Sequence, residues 1–243
     1  MTESNPPKLI SPSSMNCFYE CPYNWKLVYL DKKPGLFVTD RERLFGSMCH
    51  NIIQAYYKNL PENPTEEEVK ATLVKAINDY FDPIFSRRKE RLERILLGNF
   101  LKFELSRIRS QSRARPQYVE QKFVADPFSC IIDFYNEGLL IDWKLTGISN
   151  IANTNHMRQG KICEYVLRRN GVEVKSVRFF SLELGEFIPC PRTSDEWLMK
   201  QYNRMTEAIS TGKFERVIGN HCKRCEQILN CQFGEVSMWS DPE

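Results

Sequence analysis

Cys130-Ile131-Ile132-Asp133-Phe134-Tyr135-Asn136-Glu137-Gly138-Leu139-Leu140-Ile141-Asp142-Trp143-Lys144-Leu145 is the stretch that decides the fold. Two short β-prone runs, Cys130 to Tyr135 and Leu139 to Leu145, flank Asn136-Glu137-Gly138, a hairpin-turn signal. Residues two apart on a strand share a face, so Asp142 and Lys144 point into one site, with Asp133 beside them on the preceding strand. Outward from this hairpin, Tyr118 to Ala125 and Ser176 to Leu184 read as further strands. Asn155 to Arg169 reads as a helix ended near Gly171, and Ser194 to Thr211 as a helix stopped by Gly212. Strands followed by helix, strand and helix imply an α/β core.

Upstream the pattern is helical. Ser11 before Pro12 is a helix-start signal, and the aromatic-rich run to Leu30 reads as helix interrupted near Pro22. Arg41 to Lys58 has apolar residues at helical spacing, and Thr65 with Glu68 forms a capping box that opens a helix toward Phe85. A basic segment continues helically to about Ser112. The expected organisation is a helical N-terminal region (1–115), a core (116–218) and a cysteine-rich tail (219–243), with no internal repeat.

A chain of 243 residues with 42% hydrophobic and 12% aromatic content is long enough to bury a substantial core. Met1 to Lys8 lacks the apolar stretch of a secretory signal, and no segment approaches the length of a membrane span, so a soluble intracellular protein is expected. The nine cysteines are an odd number without the even distribution of a disulfide framework, which favours thiols and metal ligands. Charge is uneven: Arg87 to Arg115 carries ten basic residues against three acidic ones, in a chain of net charge +3. Such a stretch suits a polyanion, with Arg107, Arg109 and Arg113 as phosphate contacts; a solvated helix face is the competing reading.

Two carboxylates held near a lysine suit metal-assisted phosphodiester hydrolysis. Asp133 and Asp142 would bind the hard cation, and Lys144 would position water or stabilise developing negative charge. On its own, Asp-x-Lys on a strand is also a common solvent-facing pair. Cys222-x-x-Cys225, followed by five residues and Cys231, puts three thiols in one compact tail, and Cys21 would complete a four-thiolate centre from the other end of the chain. Cys17 is a rival for that fourth place, and spacing alone leaves iron–sulfur and zinc both open. Cys49, Cys130, Cys163 and Cys190 read as small buried apolar residues.

Several motifs match in order: Leu9-Ile10-Ser11-Pro12-Ser13-Ser14 leading to Cys21-Pro22, then Phe45-Gly46-Ser47-Met48-Cys49-His50, Val119-Glu120, Ile131-Ile132-Asp133 and Ile141-Asp142-Trp143-Lys144. The series resembles the RecB-like branch of the PD-(D/E)XK nuclease superfamily. The resemblance implies a restriction-endonuclease-like core, a mixed central sheet flanked by helices. It also implies a metal-dependent deoxyribonuclease, an exonuclease acting on single-stranded DNA or DNA ends with Mg2+ or Mn2+. By it, His50, Asp133, Asp142 and the backbone carbonyl of Trp143 are the metal ligands, Lys144 is the catalytic lysine, and Glu120 is an acidic position on the first core strand. The family's Gln-x-x-x-Tyr helix motif is altered here, because Gln159 precedes Tyr165 by six residues and Lys161 holds the four-residue spacing. Either Lys161 replaces the glutamine or Gln159 reaches the site from one turn earlier. One remote cysteine plus a C-terminal trio resembles the iron–sulfur nucleases related to RecB and AddB, including the CRISPR-associated exonuclease family four, and implies a 4Fe-4S cluster. Phe18, Tyr19, Tyr23 and Trp25 would stack on bases or, more simply, form core. The rivals are a non-cleaving DNA-binding or assembly subunit and a zinc-stabilised nucleic-acid-binding module. CRISPR adaptation, viral recombination and repair, with their nucleic-acid-processing partners and a prokaryotic or viral source, all stay open.

Overall fold

The computed structural model describes residues 8–36, 41–145 and 154–231, so Met1 to Pro7 and the tail beyond Cys231 lie outside it. It divides into two compact units, residues 40–124 with 130–191, and residues 1–39 with 125–129 and 192–243. This division cuts across the three consecutive segments expected from sequence. The helices of 41–110 share one hydrophobic cluster with the sheet, while the chain's first helices count with its last. No described helix is long and apolar enough to cross a membrane.

The sheet unit opens with α1 (Arg41–Asn59) and α2 (Glu66–Tyr80). The Thr65–Glu68 capping box forms as expected, with both reciprocal hydrogen bonds present. Asp82 accepts from the Ile84 amide and starts a tight 3₁₀ turn, Pro83–Arg88; the preceding helix has already stopped at Tyr80, short of Phe85. Then α3 (Lys89–Glu93) runs through a π-helical stretch, Arg94–Phe100, into α4 (Leu101–Ser110).

The strands follow: β1 (Gln121–Ala125), β2 (Phe128–Ile132), β3 (Phe134–Asn136) and β4 (Leu139–Lys144), then α5 (Thr154–Arg169), β5 (Ser176–Ser181) and β6 (Glu186–Pro189). A two-stranded sheet holds β1 and β2, and a mixed sheet has the order β3-β4-β5-β6. In the mixed sheet β3 and β4 are antiparallel, β4 and β5 parallel, and β5 and β6 antiparallel. The turn between β3 and β4 is the expected hairpin, with Glu137 at φ 49° and Gly138 at φ 89°, the conformation of a primed turn.

Cys130 to Tyr135 is not one strand. It breaks at Asp133, where the chain leaves the β1 pairing and enters the β4 pairing. On one face of β4, Ile141 and Trp143 are fully buried, and the Trp143 ring meets Phe100, Phe103, Phe134 and Phe180 mostly edge-on. Asp142 and Lys144 take the other face.

In the second unit, α6 (Pro12–Glu20) is capped by Ser11, whose Oγ accepts from the Ser14 amide at 3.1 Å. Cys21, in extended conformation, separates it from α7 (Pro22–Trp25), which continues as a π-helical turn to Leu30. The late helix α8 (Asp195–Thr211) ends on Gly212 at φ 67°, and the 3₁₀ turns Asn220–Arg224 and Ile228–Asn230 follow. Phe18 and Trp25 are core, not stacking platforms: Trp25 is fully buried, stacks on Tyr29 and Phe214, and donates to Ser14 Oγ. The Tyr19 hydroxyl donates to the Gln201 carbonyl, and the Arg216 guanidinium lies 4.0 Å from the centre of the Tyr23 ring.

Candidate active site

His50 sits on α1 and presents both ring nitrogens to acceptors: Nδ1 is 3.3 Å from Glu120 Oε1 and 3.6 Å from Asp133 Oδ2, and Nε2 is 3.2 Å from the Trp143 carbonyl. Its pKa rises to about 9. Burial opposes the charged ring, but the hydrogen bond to Glu120 and the charges of Asp133, Asp142 and Glu120 outweigh it. The ligand atoms of His50, Glu120 and Asp133 lie within 4.8 Å of one another, close enough to share a metal ion.

Asp133, at the bend between β2 and β3, accepts from the Trp143 amide at 3.0 Å. Its pKa is raised by burial and by the neighbouring Asp142 carboxylate, against the opposing effect of His50. Glu120 departs from the expected strand position. It directly precedes β1 in left-handed conformation, φ 46°, with its amide donating to the Asp133 carbonyl at 3.4 Å. The extended run therefore starts at Gln121.

Asp142 and Lys144 share a face as their spacing requires, with Lys144 Nζ 2.7 Å from Asp142 Oδ2. Burial disfavours the Lys144 charge, yet Asp142 holds its pKa above the ordinary lysine value. Gln159 on α5 closes the network: its amide donates to Asp142 Oδ1, and its carbonyl oxygen accepts from Lys144 Nζ at 2.9 Å. Gln159 thus makes the bridge that one of the two sequence alternatives describes, while Lys161 lies 3.4 Å from Glu164. Tyr165 is six residues further along α5, about 120° around the helix from Gln159. It is buried, with the Arg169 guanidinium 5.1 Å from its ring centre.

The donor set fits a hard divalent cation. His50, Glu120 and Asp133 bring an imidazole and two carboxylates together, the Trp143 carbonyl lies 3.2 Å from His50 Nε2, and Asp142, outside that close group, is paired with Lys144 at 2.7 Å. In the other unit, the thiols of Cys21, Cys222, Cys225 and Cys231 line one small cavity. Asn24 helps hold it, its backbone N–H donating to Cys21 Sγ at 3.5 Å and its Oδ1 accepting from Cys225 Sγ at 3.6 Å. Cys17 is set aside from that cavity, accepting from Asn24 Nδ2 at 3.4 Å. Among the described residues, no three of these sulfurs come within 4.8 Å of one another.

Much of the basic segment is paired with carboxylates of the chain itself. Arg107 is buried, donating to both carboxylate oxygens of buried Glu104 and to the carbonyls of Arg113 and Ala114. Arg88 and Arg91 pair with Glu42, Arg91 and Arg94 with Glu183, and Arg109 with Glu66. Of the three arginines expected to meet phosphate, Arg113 alone is exposed without such a pairing to a carboxylate among the described ion pairs. Cys49, Cys130 and Cys163 are buried as expected, and Cys190 is half-buried.

No individually characterised protein matches the chain in sequence. The model of the PD-(D/E)XK nuclease superfamily matches residues 9–232, a span that takes in the whole His50, Glu120, Asp133, Asp142 and Lys144 group. With that match over most of its length, the chain belongs to the PD-(D/E)XK nuclease superfamily.

Proposed function

We propose that this protein is a deoxyribonuclease that hydrolyses single-stranded DNA from an end, using Mg2+ or Mn2+ held by His50, Asp133, Asp142 and the Trp143 carbonyl, with a 4Fe-4S cluster on Cys21, Cys222, Cys225 and Cys231. The observation that carries the cleavage reading is the bridge of Gln159 between Asp142 and Lys144, beside the His50–Glu120–Asp133 group. When bound, the cation would lower the pKa of its water and offset phosphate charge. Asp133 and Asp142 supply the negative charge that holds it, and the Trp143 amide fixes the Asp133 rotamer. Lys144, oriented by Asp142 and Gln159, places a proton donor and a positive charge where a phosphate oxygen gains charge. Four thiols lining one cavity, one from the first helices and three from the late turns, support a shared centre there. Its role is structural.

End-labelled single- and double-stranded DNA, incubated with and without Mg2+ or Mn2+, tests the reading. Processive shortening of single strands that requires the metal is expected. Lys144→Ala should lose cleavage by about 10²–10³-fold while DNA and Mn2+ still bind, whereas Asp142→Ala should lose both cleavage and Mn2+ affinity. Undiminished metal-dependent cleavage by the Lys144 variant would place the chemistry elsewhere. Protein that binds DNA without cutting it would instead mark a non-cleaving subunit. Anaerobic purification with iron, sulfide and zinc analysis tests the cluster, and stoichiometric zinc without iron overturns it.

A further inference from the structure

Two cavities of the sheet unit, each of about 520 Å3, share Arg115, Pro116 and Gln117 on their walls and so adjoin along this segment, a furrow in two parts. One end is lined by Gln54 and Gln121, and Val119 is beside it. Gln54 is one helical turn beyond His50 on α1, and Val119 and Gln121 adjoin Glu120 in sequence, so the chain leads from this end to the candidate metal group. His50, Gln54 and Lys58 follow one another at intervals of four residues, a stripe spanning about 12 Å at 1.5 Å per residue. The other end reaches Asn63, Arg113 and Tyr118.

The furrow's chemistry is that of a strand-binding groove. Lys58, Arg113 and Arg115 supply cations against the single carboxylate of Glu62, and Tyr80, 52% exposed, offers a ring face. Gln54, Gln117 and Gln121 supply amides that can donate to or accept from any base. Arg107, buried beneath, donates to the Arg113 carbonyl at 3.2 Å and fixes the backbone from which the exposed Arg113 side chain departs.

We propose that single-stranded DNA runs in this furrow, phosphates on Lys58, Arg113 and Arg115 and a base on Tyr80, and reaches the metal group past Gln54 and Gln121. The proposal rests on the reading of that group as the cleavage site only for the direction of travel; the binding itself is independent of it.

Anisotropy of a fluorescein-labelled oligothymidylate, measured in EDTA so that nothing is cleaved, tests it. Lys58→Ala combined with Arg113→Ala should weaken binding at least 10-fold and reduce the slope of log affinity against log salt by about 1.4, some 0.7 for each single-strand phosphate that the protein no longer neutralises. Tyr80→Ala should weaken binding about 5- to 150-fold with the slope unchanged, since stacking releases no counterion. Lys58→Arg with Arg113→Lys should keep the wild-type slope, and Lys89→Ala, on α3, should change nothing. Melting curves show that each variant is folded. Wild-type slope in the double alanine variant, or equal competition by duplex DNA, overturns the furrow. A furrow confirmed in a protein that does not cut with Mn2+ would remove the nuclease reading alone; cleavage with unaffected binding in these variants would remove the furrow alone.

Discussion

Glu120 holds a left-handed backbone conformation, φ 46°, at a cost of about 1–3 kcal/mol for a residue other than glycine, and its carboxylate meets His50. Asparagine tolerates that conformation better than glutamate, so Glu120→Asn separates backbone from charge. The melting temperature should stay level or rise while Mn2+ affinity, followed by calorimetry, falls about 10- to 100-fold. Unchanged affinity would reduce Glu120 to a hydrogen-bond acceptor for His50. Arg107 has the opposite character. Its guanidinium and the Glu104 carboxylate are both almost wholly inaccessible, and the Tyr56 and Tyr57 hydroxyls donate to the same carboxylate. Arg107→Ala leaves a buried, unpaired charge, so denaturant titration should show a loss of about 3–5 kcal/mol. A folded variant with normal stability and a reduced salt slope for DNA would restore it to the DNA surface.

The elements that carry chemistry were legible where period and chemistry coincide. The two-residue alternation of Asp142 and Lys144 and the turn chemistry of Asn136 to Gly138 both hold in the structure, because neither depends on distant residues. The bend at Asp133 was not legible, since it follows from which strand each half of Cys130 to Tyr135 pairs with, a tertiary outcome. Nor was the fate of the arginines. A basic helix reads the same whether its partners are phosphates or the distant Glu42, Glu66 and Glu183. Helix α5 shows how an element sets a site. A Cβ on Gly160 would lie 2.8 Å from Cys190 Sγ and 3.2 Å from Val177 Cγ1, so glycine is what lets α5 approach β5 and carry the adjacent Gln159 to Asp142 and Lys144. Gly160→Val should cost about 1–3 kcal/mol by overpacking and reduce cleavage beyond what the loss of folded protein explains. Adding Cys190→Ala should recover part of both. Absence of any recovery in this double-mutant cycle would mean that the close approach is not what limits the helix.

At the scale of the whole molecule, composition and periodicity divided the chain in sequence order, because both are local; compactness depends on which segments return to one another. Cys21 and the C-terminal trio, about two hundred residues apart, do line one cavity, a return that no local period could show. Inside their unit, the tail is tied to the beginning of the chain by backbone and side-chain bonds. The Leu36 amide donates to the Glu226 carbonyl, the Tyr23 amide to Glu215, and Gln227 Nε2 to the Lys33 carbonyl. These few bonds close a very long loop, whose closure costs on the order of 5 kcal/mol in chain entropy. A cluster bound only by the folded thiol set would offset that cost. On the proposed iron–sulfur cluster, Cys225→Ala should therefore release iron and raise amide exchange in Pro12–Glu20 and Asp195–Thr211, while Arg41–Asn59 and Leu139–Lys144, packed in the other unit's own core, keep their protection. Cys190→Ala should leave both iron and exchange unchanged. Equal loss of protection in the two sets would show one cooperative molecule, and full retention of iron with unchanged exchange would remove Cys225 from the cluster.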